Sequence, residues 1–157
     1  MYTVGKFGHY VLAVCRSRAA SKGGIDHMDT PLPRGNASHL VAAGYDRAAE
    51  AYARLEAAIP WPRMRWLQKV LHPLTSGSAI LDLGCGSGDP ADIEIAKSHT
   101  VTGVDVSLTQ VALARENVPT GHFIHADVAT VTFPEASFDA VISFYTLEHM
   151  PRTDHAR

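Results

Sequence analysis

Asp82 stands two residues ahead of three glycines at alternate positions, Gly84, Gly86 and Gly88, with Cys85 and Ser87 between them. Glycines so spaced make a turn whose backbone approaches a ligand with no Cβ in the way. A second carboxylate, Asp105, follows about 20 residues after the first glycine, where dinucleotide-binding folds place an acid on the ribose. The physical need is simple: two adjacent hydroxyl donors are met by one acceptor with two oxygens. Asp127 is a third acid in the same series. The chemistry these residues point to is capture of a nucleoside-like ligand. A Ser-His-Asp or Cys-His arrangement for nucleophilic catalysis does not stand out. The dehydrogenase fingerprint needs a glycine where Asp89 stands, which disfavours a nucleotide-dependent oxidoreductase.

These residues need elements to hold them. Ala79, Ile80, Leu81 and Leu83 form an apolar run that reads as a buried strand ending in the glycine turn. Asp89-Pro90 then reads as an N-cap followed by a proline at the first helical position, opening a helix to about Lys97. Val101–Val106 is a second strand, Leu108–Glu116 a helix, Phe123–Val128 a third strand and Phe138–Thr146 a fourth. Strand alternating with helix predicts parallel pairing through right-handed crossovers. Upstream, Val41, Tyr45, Ala48, Tyr52, Leu55 and Ile59 recur at three- and four-residue steps over a helix from Asn36 to Ile59, with an interruption expected at Gly44. Pro60-Trp61-Pro62 is a turn, and a helix from Arg63 to about His72 ends at Pro73. Arg63, Arg65 and Lys69 are expected to be a solvated face of that helix, and Trp66 a packing residue.

The pattern acid-x-Gly-x-Gly-x-Gly from Asp82 to Gly88 resembles motif I of class I S-adenosylmethionine (AdoMet) methyltransferases. Asp105, Asp127 and the stretch from Phe138 to His149 are similar to the later motifs of that family, in its order, over about residues 45–152. The resemblance implies a Rossmann-like α/β fold, a parallel sheet of order 3-2-1-4 with helices on both faces. It implies AdoMet as cofactor and a small-molecule acceptor. Gly84, Cys85, Gly86 and Gly88 would cradle the ligand, with Asp82 facing the methionine ammonium. Asp105 and Val106 would meet the ribose side, and Asp127 and Val128 the adenine. Ser143, Phe144 and Tyr145 would line the sulfonium, where aromatic faces attract a cation. Tyr45, with Asp46, Ala49 and Tyr52, resembles the N-terminal helix that closes over AdoMet, and His149 is the candidate general base. A degenerate AdoMet-binding fragment without turnover is the alternative reading.

Composition narrows the rest. The chain has 157 residues, 46% apolar and 19% charged, as expected for one globular domain. Its formal charge of -2 offers no basic footprint for nucleic acid. Every apolar run is shorter than the roughly 20 residues a bilayer needs, so no membrane span is expected. Two distant cysteines, Cys15 and Cys85, fit a reducing, cytoplasmic setting. Nine histidines give no pair with metal-ligand spacing and a third ligand nearby, so no metal is expected. Residues 1–35, with no acid before Asp26, read as a disordered or over-extended N-terminal piece, with Met28 as the alternative start and Pro31, Pro33 and Gly35 in a loop. Residues 36–157 then form the AdoMet-binding domain, incomplete at its C-terminal end. The family has seven strands, whereas this chain stops after the fourth; a truncated frame, an excised fragment or a partner chain would each account for that. Strand four is therefore expected to be an unpaired apolar edge that drives self-association.

Overall fold

The computed structural model describes residues 2–7, 10–15, 37–58 and 62–151. Four strands form a parallel core, β3 (Ala79–Leu83), β4 (Thr100–Asp105), β5 (His122–His125) and β6 (Ala140–Phe144). β3 lies between β6 and β4, with β5 outside β4, so the order is the expected 3-2-1-4. In register, Leu83 pairs with Val104 and Asp105 with His125. The glycine turn, Asp105, Asp127 and the segment after Phe144 therefore leave the sheet at one edge. That edge, outside the carboxyl ends and at the reversal of strand order, is where open α/β sheets bind ligands.

Alternate residues of each strand enter opposite layers, as the two-residue period of a strand requires. Ile80, Val101, Phe123 and Ile142 pack with Leu67 and Val70 of α2 (Arg63–Leu71), Ile95 of α3 (Ala91–Ala96) and Val111 and Ala114 of α4 (Leu108–Asn117). Leu81, Val104 and Ile124 on the other face meet Val128, Val131, Phe133 and Phe138. Phe133 and Phe138 meet edge to face, ring centroids 5.2 Å apart. Among the described residues the helices of the sheet thus cover one face, and an irregular segment after β5 covers the other. Val128, Val131, Phe133 and Phe138 supply the apolar contacts on that second face.

Helix α1 (Ala37–Ala58) runs unbroken through Gly44, contrary to the expected interruption. A helical glycine costs only about 1 kcal/mol relative to alanine, which a long helix with tertiary contacts absorbs. α3 begins at Ala91, after a cis Asp89–Pro90 bond, so Pro90 is the cap and Asp89 is not. The amides of Asp92 and Ile93 donate to the Gly88 carbonyl, 2.8 and 3.2 Å, and the chain is already turning before the predicted cap.

The N-terminal stretch departs most from expectation. Tyr2–Phe7 (β1) and Tyr10–Cys15 (β2) are strands paired antiparallel to one another, in the stretch expected to be a disordered or over-extended N-terminal piece. β2 pairs antiparallel with β6, Tyr10 opposite Phe144 and Val14 opposite Ala140. The fourth strand is therefore not an open edge, and self-association through it loses its physical basis. An uninterrupted apolar run such as Tyr10–Cys15 suits a strand, and the free ladder groups of β6 are the partner it needs. Met28, the Pro31–Gly35 loop, Pro60, Trp61 and residues 152–157 lie outside the described residues.

Candidate functional site

The carboxyl-end edge opens into a cleft roofed by α1, whose Ser38, Val41, Tyr45 and Tyr52 line it. Its floor is the glycine turn. The Gly84 and Cys85 amides donate to the Val104 carbonyl, 2.7 and 3.1 Å, which ties the turn to β4. Gly86 donates its amide to Asp105 Oδ2 at 2.9 Å, and Ser107 donates its amide to Oδ1 at 2.8 Å. Each carboxylate oxygen accepts more than one bond, so Asp105 keeps acceptor capacity while these amides fix its orientation. Burial pushes the Asp105 carboxyl above its usual value, and the amides of Ser107, Gly86 and Val106 oppose that rise.

Asp127 sits similarly at the end of β5. Its Oδ1 accepts from the Ala129 amide at 2.9 Å, and its Oδ2 accepts from the Ser38 hydroxyl of α1. α1 is held at two more points. Asp46 accepts from Ser107 Oγ at 2.5 Å and from the Thr109 amide at 3.1 Å, at the start of α4. Burial raises the Asp46 carboxyl, but these hydrogen bonds outweigh it and hold the group below its usual value. The Tyr45 hydroxyl lies 3.1 Å from His149 Nε2, with the two rings edge to face at 5.6 Å. His149 belongs to a one-turn 3₁₀ helix, Leu147–His149, just after β6. The α1 stripe read from the sequence therefore turns to the cleft: Val41, Tyr45 and Tyr52 line it, while Leu55 is 48% exposed.

Of the expected site residues, Tyr45, Gly84, Cys85, Gly86, Asp105, Val106, Asp127, Val128, Phe144 and His149 all line this one cleft. Three do not. Asp82 is 2% exposed, beneath the turn, where its carboxyl neighbours that of Asp92. The strand's alternation sends that side chain to the same face as Ile80, and it does not line the cleft. Burial pushes the Asp92 carboxyl well up and Asp82 adds to the rise, with Arg63 working against it. Ser143 is buried and donates to the Leu83 carbonyl at 2.9 Å, stitching β6 to β3. Gly88 packs against Asp92 and Ala114, so it serves helix packing. Gly84 also has a second reason to be glycine. Its φ is +80°, and a Cβ there would lie 2.6 Å from Thr146 Cγ2.

Several cleft residues were not singled out from the sequence: Ser38, Arg63, Gln110, Thr146 and Met150. Arg63 had been expected on a solvated face, yet it is 7% exposed. The helix α2 that carries it is amphipathic, and Arg63 lies on the same buried face as Leu67 and Val70. That spacing was the available signal. Gln110 is 1% exposed, and neither end of its side-chain amide has a hydrogen-bond partner among the described residues. A buried amide left unsatisfied costs about 1–3 kcal/mol, so a polar ligand that completes it gains from doing so. Among the described residues no group of three metal-ligating side chains occurs. No helix among them is long and apolar enough to cross a membrane. Cys85 is a free thiol, and burial together with Asp92, Asp105 and Asp82 pushes it up, which keeps it protonated.

The sheet order and the cleft at its carboxyl edge define a Rossmann-like α/β protein. Comparison with known proteins narrows this class. Residues 80–157 match the family model described as a methyltransferase domain. The chain is 37% identical over 90 residues to 27-O-demethylrifamycin SV methyltransferase of Amycolatopsis mediterranei, covering 53% of this chain and 33% of that one. It is 40% identical over 86 residues to 2-methyl-6-phytyl-1,4-hydroquinone methyltransferase of Synechocystis sp., covering 52% and 27%. Among solved structures, magnesium protoporphyrin IX methyltransferase of Synechocystis with bound SAH superposes with a TM-score of 0.60 at 19% identity, over 74% of this chain and 62% of that one. Phosphoethanolamine N-methyltransferase 2 of Haemonchus contortus, in complex with S-adenosylhomocysteine, gives 0.63 at 22% identity, over 77% and 31%. The chain belongs to the class I AdoMet-dependent methyltransferase family. It spans about a third of the length of the curated relatives it matches.

Proposed function

We propose that this chain carries the AdoMet-binding part of a methyltransferase acting on a small-molecule acceptor in a reducing, cytoplasmic setting. The observation that carries the reading is the convergence of Asp105, the Gly84–Gly86 turn and Asp127 on one cleft under α1. The residues present fit the group. Asp105 offers a pre-oriented two-oxygen acceptor for ribose hydroxyls, Asp127 an acceptor for an exocyclic amine, and Gln110 an amide in need of partners.

When bound, AdoMet supplies a methyl group on a sulfonium, already activated towards attack. The protein therefore contributes alignment, and orienting two reactants is worth up to about 7–11 kcal/mol. Phe144 and Tyr145 border the cleft, where aromatic faces steady a cation. Tyr45 and His149 meet where both line the cleft, under α1. With Nε2–H donated to the Tyr45 oxygen, the other ring nitrogen of His149, Nδ1, keeps the lone pair that takes the proton a hydroxyl or amine acceptor loses as its electron pair takes the methyl group. Tyr45 orients that imidazole through its hydroxyl.

Isothermal titration calorimetry with AdoMet tests the reading. The chain is expected to bind with measurable heat, and Asp105→Asn to weaken binding about ten- to a hundredfold, the worth of one charge-assisted hydrogen bond. Absence of heat with folded wild-type chain refutes the proposal. Binding without release of S-adenosylhomocysteine across an acceptor panel favours a binding fragment without turnover.

A further inference from the structure

The cleft has two kinds of lining. One is carboxylate and backbone, from Asp105, Asp127 and the Gly84–Gly86 turn; the other is aromatic, with Tyr45 and Tyr52 from α1 and Tyr145 and His149 from the segment after β6. The rings of Tyr45 and Tyr52 meet edge to face, centroids 5.3 Å apart, and Tyr45 meets His149 in the same way. Tyr145 stands there under backbone strain. Its φ is +60°, in the left-handed region that a residue with a Cβ disfavours. The next residue holds it. The Thr146 hydroxyl donates to the Leu83 carbonyl at 2.9 Å, in space that Gly84 leaves open by having no Cβ. Strain of this kind persists only where the surroundings over-determine it, and it clusters where ligands are clamped.

Three properties of this lining bear on the acceptor. Ring faces and edges favour a flat aromatic molecule, because aromatic pairs gain beyond the area they bury. Charge disfavours an anion. Asp105 and Asp127 border the cleft, and the one Lys or Arg among its described lining residues, Arg63, donates to the Asp89 carbonyl at 3.3 Å. Acidity is the third. A free imidazole takes a proton near pH 6.5 and a phenol gives one up near 10, whereas an alkyl hydroxyl holds its proton about as tightly as water does, near 15.7. A base works best on an acid close to it in strength, so the imidazole of His149 suits a phenol. Resting on the AdoMet reading above, we propose that the acceptor is a flat aromatic hydroxyl compound, a phenol, selected by the ring of Tyr145. In the transfer the phenol's proton passes to His149 Nδ1 as its oxygen forms the bond to the methyl carbon. The carbon–sulfur bond breaks with its electron pair left on sulfur, giving an aryl methyl ether and S-adenosylhomocysteine.

Three probes of similar outline test this: 2-naphthol, its saturated counterpart decahydro-2-naphthol, and the anion 2-naphthoate. Each is titrated calorimetrically into the chain saturated with S-adenosylhomocysteine, which lacks the sulfonium charge that could hold an anion by itself. 2-Naphthol is expected to bind about tenfold or more tightly than either of the others, the worth of one or two ring pairs. Tyr145→Asn removes the ring and suits a left-handed backbone. It is expected to weaken 2-naphthol about two- to tenfold and S-adenosylhomocysteine by less, while Tyr145→Phe keeps the wild-type preference. With AdoMet in its place, mass spectrometry is expected to find 2-methoxynaphthalene. A wild-type chain that binds decahydro-2-naphthol or 2-naphthoate as tightly as 2-naphthol overturns the proposal, a result that needs no variant to fold. So does a loaded chain that takes up no 2-naphthol, or one that methylates 2-naphthoate in preference to it. Unchanged 2-naphthol binding in Tyr145→Asn, or a parallel loss of both ligands, overturns the part assigned to Tyr145. A wild-type chain that gives no heat with S-adenosylhomocysteine or AdoMet overturns the AdoMet reading itself and this inference with it.

Discussion

Replacing Gly84 by alanine probes how the glycine turn is held against the fourth strand. The residue sits at φ +80°, and the new Cβ would lie 2.6 and 2.7 Å from Thr146 Cγ2 and Cβ. Two costs follow. Holding an alanine in the left-handed region costs about 1–2 kcal/mol. Moving Thr146 aside breaks its hydroxyl's 2.9 Å bond to the Leu83 carbonyl, for a further cost of about 1–3 kcal/mol. Gly84→Ala is therefore expected to lower the unfolding free energy by about 2–5 kcal/mol, measured by urea denaturation. The second cost depends on Thr146 and the first does not. In a Thr146→Gly background the same substitution should then cost only the left-handed strain, a coupling of about 1–3 kcal/mol in the double-mutant cycle. Additive behaviour, or a Gly84→Ala chain as stable as wild type, would refute this account of the turn.

Two further perturbations test the charges around the cleft. The folded state holds the Asp92 carboxyl well above its ordinary value through burial and Asp82, so its stabilising proton is fully retained below the ordinary aspartate range and lost as pH rises through the raised value. Asp92→Asn, which cannot ionise, should be more stable than wild type at pH 7 and indistinguishable from it near pH 3; a difference between the two unfolding curves that does not change with pH would contradict this. Asp46 is held below its usual value, so its contribution is present at neutral pH and lost as pH falls through that lowered value. Asp46→Ala should cost about 1 kcal/mol and speed hydrogen exchange across α1 and the first turn of α4; unchanged exchange there would mean that Asp46 does not hold α1 to α4.

Much of the site was readable along the chain because it is local. A glycine turn after a buried strand, an acid at the end of the next strand and another after the third are short-range patterns, and parallel register then carries their ends to one edge. Tyr45 and His149 were readable separately, but 104 positions separate them, and only the packing of α1 over the 3₁₀ turn brings them within 3.1 Å. Asp82 looked like a ligand contact because its place in the motif is diagnostic, yet the alternation of a strand directs it under the turn. Arg63 was misread for the converse reason. Composition assigns arginine to solvent, and the burial of one helix face overrode that preference.

What the amino-acid order determines by itself is the set of parallel strands, the turn that interrupts them and the acids at their ends, since each follows from neighbours a few residues apart. The tertiary structure decided the rest: that residues 10–15 cover the edge of β6, that a loop supplies the second layer, and that one arginine faces a cleft lined by acids. Those outcomes depend on which surfaces are left uncovered once the sheet has formed, and no local pattern contains that information.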